Sequence, residues 1–379
     1  MSESVPEKCL QLQSNARAEG HIVLSLAEIE VPAPKESEVT VRVEAAPINP
    51  SDLGLLLGPA DVSGARATGT PDRPAVEIPI AEKLRRGVAG RLDQPMPVGN
   101  EGAGVVVAAG TGEAAQALLG KVVGFIGGGS YSQYRTVPAA LTLPMEPGTT
   151  PREAAACFVN PLTALGMVET MKREGHDALV HTAAASNLGQ MLQKVCLADG
   201  IPLVNLVRRE EQAEILRGIG AKYVVDTSAE GFRERLTDAL EETGATLAFD
   251  ATGGGELGGQ ILSCMEAAQL RKGGGFSNYG SDTHKQLYVY GRLDTNPTRF
   301  GSDFGFAWSI GGWLLTPFLQ KLGSDARPLY MRVAAEIKTT FASHYAAEVS
   351  LSGALEVAAL QAYQKKTTGQ KYLIEPHRA

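Results

Sequence analysis

The run from Ala178 to Gln190, ALVHTAAASNLGQ, constrains the fold of this chain more than any other stretch. An apolar segment, Ala178 to Thr182, leads into a turn of small residues, and a helix follows whose apolar residues recur at helical spacing. A second apolar segment, Ile201 to Val207, comes next. Strand, small-residue turn, helix and strand form a unit that binds a dinucleotide, because the pyrophosphate lies on free amides at the helix N-terminus.

The residues that follow the second strand indicate which dinucleotide is bound. An acidic residue there would hydrogen-bond the ribose hydroxyls of NAD, whereas this chain has Arg208 and Arg209. Two guanidinium groups suit the 2′-phosphate of NADP. The sequence therefore predicts NADPH as the cofactor.

The turn itself departs from the usual glycine pattern and reads Ala183-x-x-Ser186-x-x-Gly189. Ser186 is small, and its hydroxyl can reach a phosphate oxygen, so we expect the turn to keep its role. The alternative is a parallel-sheet crossover that binds no nucleotide, with the arginines at a solvated helix start.

Composition excludes several function classes. The formal net charge of −7 argues against sequence-independent nucleic-acid binding, which needs a basic face. No apolar run is long enough to span a membrane, and the N-terminal residues lack the pattern of a signal peptide. The four cysteines have no paired spacing for zinc or disulfides, so we expect reduced, buried thiols and a cytoplasmic protein.

The chain changes character near Pro151. Residues from Ile22 to about Pro144 favour a β-rich domain, interrupted by a long loop from Pro71 to Pro97. From Pro151 onward, helices alternate with strands, which predicts a parallel sheet with right-handed crossovers. One of these strands is expected at Gly275 to Gly280, and near the C-terminus a helix precedes a strand able to return to the first domain.

Several ordered motifs resemble the medium-chain dehydrogenase/reductase superfamily, in its zinc-free branch of NADPH:quinone oxidoreductases and enoyl thioester reductases. The motifs are Ala45–Asp52, Pro97–Gly104, Gly120–Gly124, Phe158–Ala164, Ser186–Gln190 and Asn205–Arg208. The resemblance implies an α/β protein, with a GroES-like β-barrel domain and a Rossmann domain, a doubly wound parallel sheet. We expect the first to span 1-155, completed by 340-379, and the second 156-339. It also implies an active site in the cleft between the domains and a homodimer, often built through the edge of the dinucleotide sheet.

The resemblance assigns roles to individual residues. Asn49 would lie near the nicotinamide or the substrate carbonyl and is the predicted catalytic residue; the alternative is that Asn49 and Asp52 only form a capped turn. Thr163 would lie beside the nicotinamide and Lys371 near the cofactor. Tyr279 and Gly280 are added because ligands bind at the carboxyl ends of parallel strands. The full set of predicted cofactor residues is Thr163, Ser186, Asn187, Leu188, Gly189, Gln190, Arg208, Arg209, Gly253, Tyr279, Gly280 and Lys371.

No metal site is predicted. Zinc-dependent relatives, by this resemblance, carry a cysteine where this chain has Asn49-Pro-Ser-Asp52 and a histidine before the glutamate where it has Asn100. A catalytic zinc needs three nitrogen, sulfur or carboxylate ligands, and two of the expected ones are missing. Catalysis would then be direct hydride transfer, to which the protein contributes positioning and a polarising hydrogen bond.

Two regions depart from the family pattern. Enoyl thioester reductases carry a tyrosine just after the loop glycine, where this chain has Gly58-Pro59-Ala60. The longer segment that follows, 59-96, would be a lid whose Arg85 or Arg86 meets an anionic substrate, or a surface insertion. The aromatic-rich stretch from Tyr288 to Leu322 would line a pocket, form a dimer contact or belong to the core.

The sequence thus predicts a zinc-independent, NADPH-dependent oxidoreductase that transfers hydride to a small molecule, a quinone or an enone. It implies no nucleic-acid or membrane partner. Two alternatives stay open: a 2-enoyl thioester reductase, and a non-catalytic NADPH-binding scaffold or sensor.

Overall fold

The structure is a computed structural model that describes residues 5–71, 73–273, 278–365, 368–369 and 371–378. The chain divides into two compact units. Unit 1 comprises Met1–Val159 and Tyr330–Ala379, and unit 2 comprises Asn160–Leu329. We expected the first domain to end at residue 155 and to resume at residue 340. Unit 1 instead ends a few residues later, at Val159, and resumes earlier, at Tyr330.

Strands predominate in the first half of the chain, and helices alternate with strands in the second. The strands, in chain order, are β1 (Lys8–Arg17), β2 (His21–Glu30), β3 (Glu38–Pro47), β4 (Arg66–Thr70), β5 (Arg73–Pro79), β6 (Met96–Pro97), β7 (Glu101–Ala109), β8 (Val122–Ile126), β9 (Tyr134–Pro138), β10 (Thr142–Pro144), β11 (Leu179–His181), β12 (Leu203–Val207), β13 (Tyr223–Asp226), β14 (Leu247–Asp250), β15 (Lys285–Val289), β16 (Trp308–Gly312), β17 (Ala347–Val349) and β18 (Tyr372–Ile374). The α-helices are α1 (Leu53–Leu56), α2 (Glu113–Gln116), α3 (Pro151–Ala154), α4 (Val159–Arg173), α5 (Asn187–Asp199), α6 (Glu210–Gly218), α7 (Phe232–Thr243), α8 (Leu257–Arg271), α9 (Leu315–Leu322), α10 (Arg327–Glu336) and α11 (Val357–Lys365). Short 3-10 helices lie at Val62–Gly64, Glu82–Arg91, Ala139–Leu141, Gly323–Ala326 and Gly353–Leu355.

Unit 1 is built from two sheets. One has the order β4-β5-β2-β1-β6, and the other has the order β10-β8-β7-β3-β18-β17, with β9 also paired to β3. Apolar residues alternate along β3, and Val39, Val41 and Val43 are all fully buried, because side chains of period two fall on one face of a strand. Antiparallel β18 pairs with β3, so a late segment of the chain completes the unit.

The segment expected to be a long loop forms part of a sheet, and that expectation was wrong. β4 and β5 form an antiparallel hairpin, and β5 continues the sheet by pairing with β2. Val76 and Ile78 of β5 are buried in the core of unit 1. The sequence misled because its prolines indicated a loop, whereas Pro74 and Pro79 lie close to the two ends of β5.

Unit 2 contains a six-stranded sheet with the order β13-β12-β11-β14-β15-β16, in which every neighbouring pair is parallel. In order of appearance along the chain this is 3-2-1-4-5-6, the strand order of a doubly wound dinucleotide-binding sheet. The carboxyl ends of the strands therefore meet at one edge. The order reverses between β11 and β14, which is where such sheets bind ligands.

The strand expected at Gly275 to Gly280 has to be corrected. Residues 275–277 lie outside the described residues, and residues 278–280 form a turn and not a strand. The strand that follows α8 is β15, which begins at Lys285. The β-branched and aromatic run from Gln286 to Tyr290 was the better strand signal.

Burial agrees with the expectation for the cysteines, since Cys9, Cys157, Cys196 and Cys264 are all buried and free. Among the described residues, no helix combines the length and the apolar character needed to cross a bilayer.

Candidate active site

The turn between β11 and α5 is shaped by three small residues. Ser186 caps α5, because its hydroxyl accepts a hydrogen bond from the amide of Gly189 at 3.1 Å. Gly189 packs directly on the turn, since a Cβ there would overlap the carbonyl oxygen of Ala184. Ala183 adopts φ +52°, a conformation that favours glycine, so the alanine occupies a position where the usual pattern has glycine. The degraded motif therefore keeps the backbone path of the predicted turn.

The groups available for ligand binding at the first turn of α5 are mainly backbone amides. Leu188 is buried, and the Gln190 side-chain amide donates to the carbonyl of Ala185 at 2.8 Å. Asn187 begins the helix. Because the first amides of a helix have no partners within the helix, this end can bind an anionic group. The predicted set from Ser186 to Gln190 thus lies together at the carboxyl edge of the sheet.

Arg208 and Arg209 follow β12 directly and are exposed. Because β12 lies beside β11 in the parallel sheet, the arginines and the turn before α5 are at the same edge. The backbone amide of Arg208 is held by the side chain of Gln212 at 3.0 Å. Two cations at this edge fit a ligand with an additional phosphate group.

A buried carboxylate links the strand ends at the point where the order reverses. Asp250, at the end of β14, accepts hydrogen bonds from the Thr182 hydroxyl at 2.8 Å and from the Gly253 amide at 3.0 Å. It also accepts from the Thr252 amide and hydroxyl. Gly253 has φ +71°, and a Cβ there would overlap the carbonyl of Gly291. This predicted cofactor residue lies at the expected edge, with its backbone tied to Asp250.

Sequence reasoning missed a second polar pair at this edge. The His181 ring nitrogen Nε2 lies 2.7 Å from the Tyr290 hydroxyl, and the two rings stack. Burial lowers the pKa of His181 to about 3, so the imidazole is neutral, and burial raises the pKa of Tyr290. The signal was a histidine inside an otherwise apolar strand, at the last residue of β11.

The remaining predicted residues of unit 2 fall in two places. Thr163 is buried on α4. Tyr279 and Gly280 precede β15, at the amino edge of the sheet, and the neighbouring Ser281 is held by Glu266 of α8. The reason for assigning Tyr279 and Gly280 to the cofactor was therefore wrong, because they do not follow the carboxyl end of a strand.

In unit 1, Asn49 and Asp52 form a buried loop before α1. Asp52 accepts hydrogen bonds from the Asn49 amide at 2.7 Å, the Asn100 amide at 2.9 Å and the Tyr131 hydroxyl at 2.9 Å. Burial raises the pKa of Asp52 to about 7, although each of these donors lowers it. Asp52 therefore fixes the loop conformation that carries Asn49.

Glu101 orients the side chain of Asn49. One carboxylate oxygen of Glu101 accepts from the Asn49 side-chain amide at 2.8 Å, and the other accepts from the backbone amides of Phe158 and Val159 at 2.8 and 2.9 Å. Burial raises the pKa of Glu101, while the charge of Lys371 opposes that shift. The oxygen of the Asn49 side chain is buried and has no hydrogen-bond partner in the described part of the chain.

Lys371, predicted near the cofactor, belongs to this same cluster of unit 1. Its ammonium nitrogen is buried, lies 5.9 Å from the centre of the Tyr345 ring, and has no hydrogen-bond partner among the described residues. Burial lowers the pKa of Lys371, and the charges of Glu101 and Asp52 raise it. The pairing of β3 with β18 brings the backbone of Lys371 near that of Asn49, since the Ile48 amide donates to the Tyr372 carbonyl at 3.0 Å.

The donor set at this cluster does not fit a catalytic zinc. Both oxygens of Glu101 are already hydrogen-bonded, and amide side chains stand at Asn49 and Asn100. Burial raises the pKa of the Cys157 thiol, which disfavours the thiolate that zinc requires. Within the described residues, no group of three histidine, cysteine or acidic side chains is placed to hold a metal ion.

Comparison with known proteins identifies related chains. Residues 35–147 match the alcohol dehydrogenase GroES-like domain family. Prostaglandin reductase-3 from Mus musculus is 26% identical over 293 residues, 77% of this chain and 68% of that protein. The mitochondrial enoyl-acyl-carrier-protein reductase from Arabidopsis thaliana is 28% identical over 284 residues, 70% of this chain and 63% of that protein. A solved structure from Mesorhizobium loti, named as an NADPH:quinone reductase, has a TM-score of 0.74 at 25% identity and covers 99% of this chain and 100% of its own.

A GroES-like unit and a parallel unit with dinucleotide-binding strand order together define a class of two-domain dehydrogenases and reductases. Residues 35–147 form a GroES-like domain of the alcohol dehydrogenase type, and the chain as a whole resembles the medium-chain dehydrogenase/reductase superfamily. The predicted family and fold class are confirmed. The chain spans about two thirds of the length of the mouse and plant relatives.

Proposed function

We propose that the chain is a zinc-independent, NADPH-dependent oxidoreductase that transfers hydride to a quinone or a conjugated carbonyl compound. The observation that carries this proposal is the carboxyl edge of the unit 2 sheet. There the turn before α5 and the Asp250 network lie where the strand order reverses, and the arginine pair follows the neighbouring strand β12. The mouse, plant and Mesorhizobium relatives are all named as reductases, which supports the same reaction class.

NADPH fits the residues at this edge. The first amides of α5 would bind the pyrophosphate, and Arg208 and Arg209 would bind the 2′-phosphate. The absence of a Cβ at Gly189 lets the turn lie against the helix, so that those amides face the ligand. When bound, the reduced nicotinamide supplies the hydride. The protein then contributes binding, orientation and polarisation of the acceptor.

The acceptor is proposed to bind at polar groups of unit 1. Asn49 is held by Glu101 and by Asp52, and its side-chain oxygen has no partner among the described residues. An open acceptor of this kind suits the hydroxyl group that forms when a carbonyl compound is reduced, because a carbonyl oxygen would itself need a donor. An enoyl group on an acyl carrier protein, the acceptor in the plant relative's name, is the alternative.

We also propose that the protein is a homodimer that acts in the cytoplasm. The edge strand β16 and its surroundings carry exposed aromatic side chains, since Phe306 is 77% and Trp308 37% exposed. An apolar patch beside an unpaired strand edge suits association with a second copy.

The arginine pair gives the first test of this function. In the double variant Arg208→Glu/Arg209→Glu we expect NADPH affinity to fall by about 10- to 100-fold while NADH affinity changes little, because only NADPH carries the 2′-phosphate. Fluorescence titration of each cofactor measures this. Arg217→Gln is the control, since Arg217 is an exposed arginine of α6 paired with Glu210. Equal losses for both cofactors would contradict the phosphate assignment.

A panel of acceptors tests the reaction. NADPH absorbance is followed with quinones, simple enones and 2-enoyl thioesters, with and without a chelator. Turnover of quinones or enones that the chelator does not change supports the proposal. Turnover of thioesters alone would favour the enoyl thioester reductase, and NADPH binding without any turnover would favour a scaffold or sensor.

A further inference from the structure

We infer that Lys371 and the side-chain oxygen of Asn49 form the subsite that holds the oxygen of the acceptor, and that Lys371 donates the proton that completes its reduction. This inference rests on the proposed reductase function and assigns to Lys371 a role other than the cofactor contact expected from the sequence. All of the residues that carry it belong to unit 1.

The first observation is the ammonium group of Lys371. Its nitrogen is buried and, in the described ranges of the chain, forms no hydrogen bond. An ammonium group has three donors, and leaving them unpaired away from water costs free energy. Lys285, another buried lysine, contrasts with it, because Lys285 is paired with Glu266 and Ser281. The ring of Tyr345 and the charges of Glu101 and Asp52 compensate part of the cost of burying Lys371, while its hydrogen-bond donors stay open among the described residues.

The second observation is an unpaired acceptor near Lys371 in the strand register, since Pro47 lies opposite Leu373 and the Ile48 amide donates to the Tyr372 carbonyl at 3.0 Å. The side-chain nitrogen of Asn49 donates to Glu101 at 2.8 Å, which fixes the orientation of the Asn49 side chain. The side-chain oxygen of Asn49 has no hydrogen-bond partner among the described residues. Glu101 interacts electrostatically with Lys371. The Lys371 ammonium group is thus an open buried donor, and the Asn49 side-chain oxygen is an open buried acceptor. Both residues interact with Glu101.

The two open atoms suit a hydroxyl group. A hydroxyl oxygen accepts from an ammonium group, and its proton is donated to an amide oxygen. Reduction of a conjugated carbonyl compound or a quinone converts a carbonyl oxygen into such a hydroxyl. The subsite is therefore complementary to the enol or hydroquinone that the reaction produces, in which the oxygen has already received its proton.

The surrounding titratable groups leave Lys371 as the proton donor. Burial raises the pKa values of Tyr131, Tyr345, Tyr363 and Cys157. Those groups therefore hold their protons more tightly than usual. Asp52 and Glu101 accept hydrogen bonds on both of their carboxylate oxygens. Burial eases the release of a proton from Lys371, because the neutral amine is favoured in this surrounding.

The reduction consumes one hydride and one proton. Bound NADPH would supply the hydride that forms the new C–H bond at the electron-poor carbon of the acceptor. The π electrons of the conjugated system move to the carbonyl oxygen. An N–H bond of Lys371 breaks and an O–H bond forms at that oxygen, which leaves a neutral amine. The amine then takes a proton from water, so that the ammonium group is restored before the next turnover.

A titration with 4-nitrophenol tests the subsite without any turnover. The coloured phenolate is an analogue of the oxyanion, so a nearby ammonium group lowers the apparent pKa of the bound phenol. We expect a shift of about one pKa unit or more in the wild type, which is lost in Lys371→Met. Lys338→Met is the matched control, because Lys338 is an exposed lysine of unit 1 that contacts Gly148 and Glu153. Equal apparent pKa values in the wild type and Lys371→Met would overturn the subsite.

Steady-state kinetics distinguish proton donation by Lys371 from the effect of its positive charge. Lys371→Arg keeps the charge but releases a proton far less readily, so we expect the phenolate shift to persist while kcat falls about 100-fold. Full kcat in Lys371→Arg would overturn proton donation. A loss of NADPH affinity in Lys371→Met equal to its loss of kcat would overturn the assignment in favour of a cofactor contact. If the wild type oxidised NADPH with none of the tested acceptors, the reductase function would be refuted. The phenolate titration would still decide whether the subsite exists.

Discussion

Asp52 is a buried carboxyl that accepts three hydrogen bonds and yet has its pKa raised to about 7. The hydrogen bonds explain why a charged side chain is tolerated in the core of unit 1, and the burial explains the direction of the shift. The sequence indicated a capped turn at this loop, and the structure adds the two partners that lie far away in the chain, Asn100 and Tyr131.

The raised pKa of Asp52 predicts a pH dependence of stability. Below pH 3.8, the ordinary value, the group is protonated in both states. Between that value and about 7 the unfolded chain ionises first, so the folded state binds more protons and this group's contribution to the free energy of unfolding falls as pH rises. We expect Asp52→Asn to remove this loss. Urea unfolding of the wild type and the variant at pH 5 and pH 8 measures it, and parallel losses in both proteins would contradict the assignment.

Sequence reasoning identified single residues better than it identified their partners. Asn49, Ser186 and Arg208 stand in local motifs whose spacing can be read directly. Lys371 lies near the Asn49 segment only because β18 is paired with β3, a contact that no local pattern encodes. The His181–Tyr290 pair was missed for the same reason, since it depends on two strand ends of the same sheet.

The helix α5 and the turn before it show how one glycine controls an element. A methyl group at position 189 would overlap the carbonyl of Ala184, whereas α6 contains Gly218, around which a methyl group would meet nothing within 4 Å. The two glycines are therefore a matched pair in unit 2.

We expect Gly189→Ala to lower the free energy of unfolding by about 1–3 kcal/mol, because the turn must move away from the helix. The same variant should weaken NADPH binding, since the amides of the first turn shift with it. Gly218→Ala should be neutral or stabilising by up to about 1 kcal/mol, because alanine has the higher helix propensity. Thermal unfolding and NADPH titration check both variants. Similar behaviour of the two would show that the close packing at Gly189 is unimportant.

Elements were predicted well where their periodicity was strong. The strand, turn and helix around Ser186 lie where the sequence indicated, and the strand before them is β11. The prediction failed at β5, because prolines at strand ends resemble loop residues, and at β15, because the glycines after α8 drew attention away from the apolar run that follows. Composition alone does not distinguish these cases.

For the molecule as a whole, the exposed aromatic surface of unit 2 leads to a prediction about association. Tyr279 is 73% and Phe306 77% exposed, and their rings meet edge to face at 6.0 Å. If this surface binds a second copy, Phe306→Lys introduces a charge that must lose its water on association. We expect a shift from dimer to monomer in sedimentation velocity. Leu197→Lys, at an exposed leucine of α5, is the control and should leave the mass unchanged. An unchanged mass for Phe306→Lys would place the contact elsewhere.

The two-unit architecture was accessible from the sequence because its motifs occur in a fixed order, and the match to the GroES-like family agrees with it. The exact bounds were not, since one change falls at Val159, the first residue of α4, and the other at Tyr330, inside α10, so neither coincides with a linker.

The pairing of β18 with β3 has a consequence for how the protein is made. Unit 2 is one continuous stretch, so it can fold on the ribosome as soon as its own residues have emerged. The barrel strand β3 is synthesised early, yet its neighbour β18 is translated after the whole of unit 2. Until then, the edge of β3 that β18 will cover stays open to chaperones and to other nascent chains. The unit synthesised first is therefore completed last, and slow translation would lengthen the interval in which it is vulnerable to aggregation.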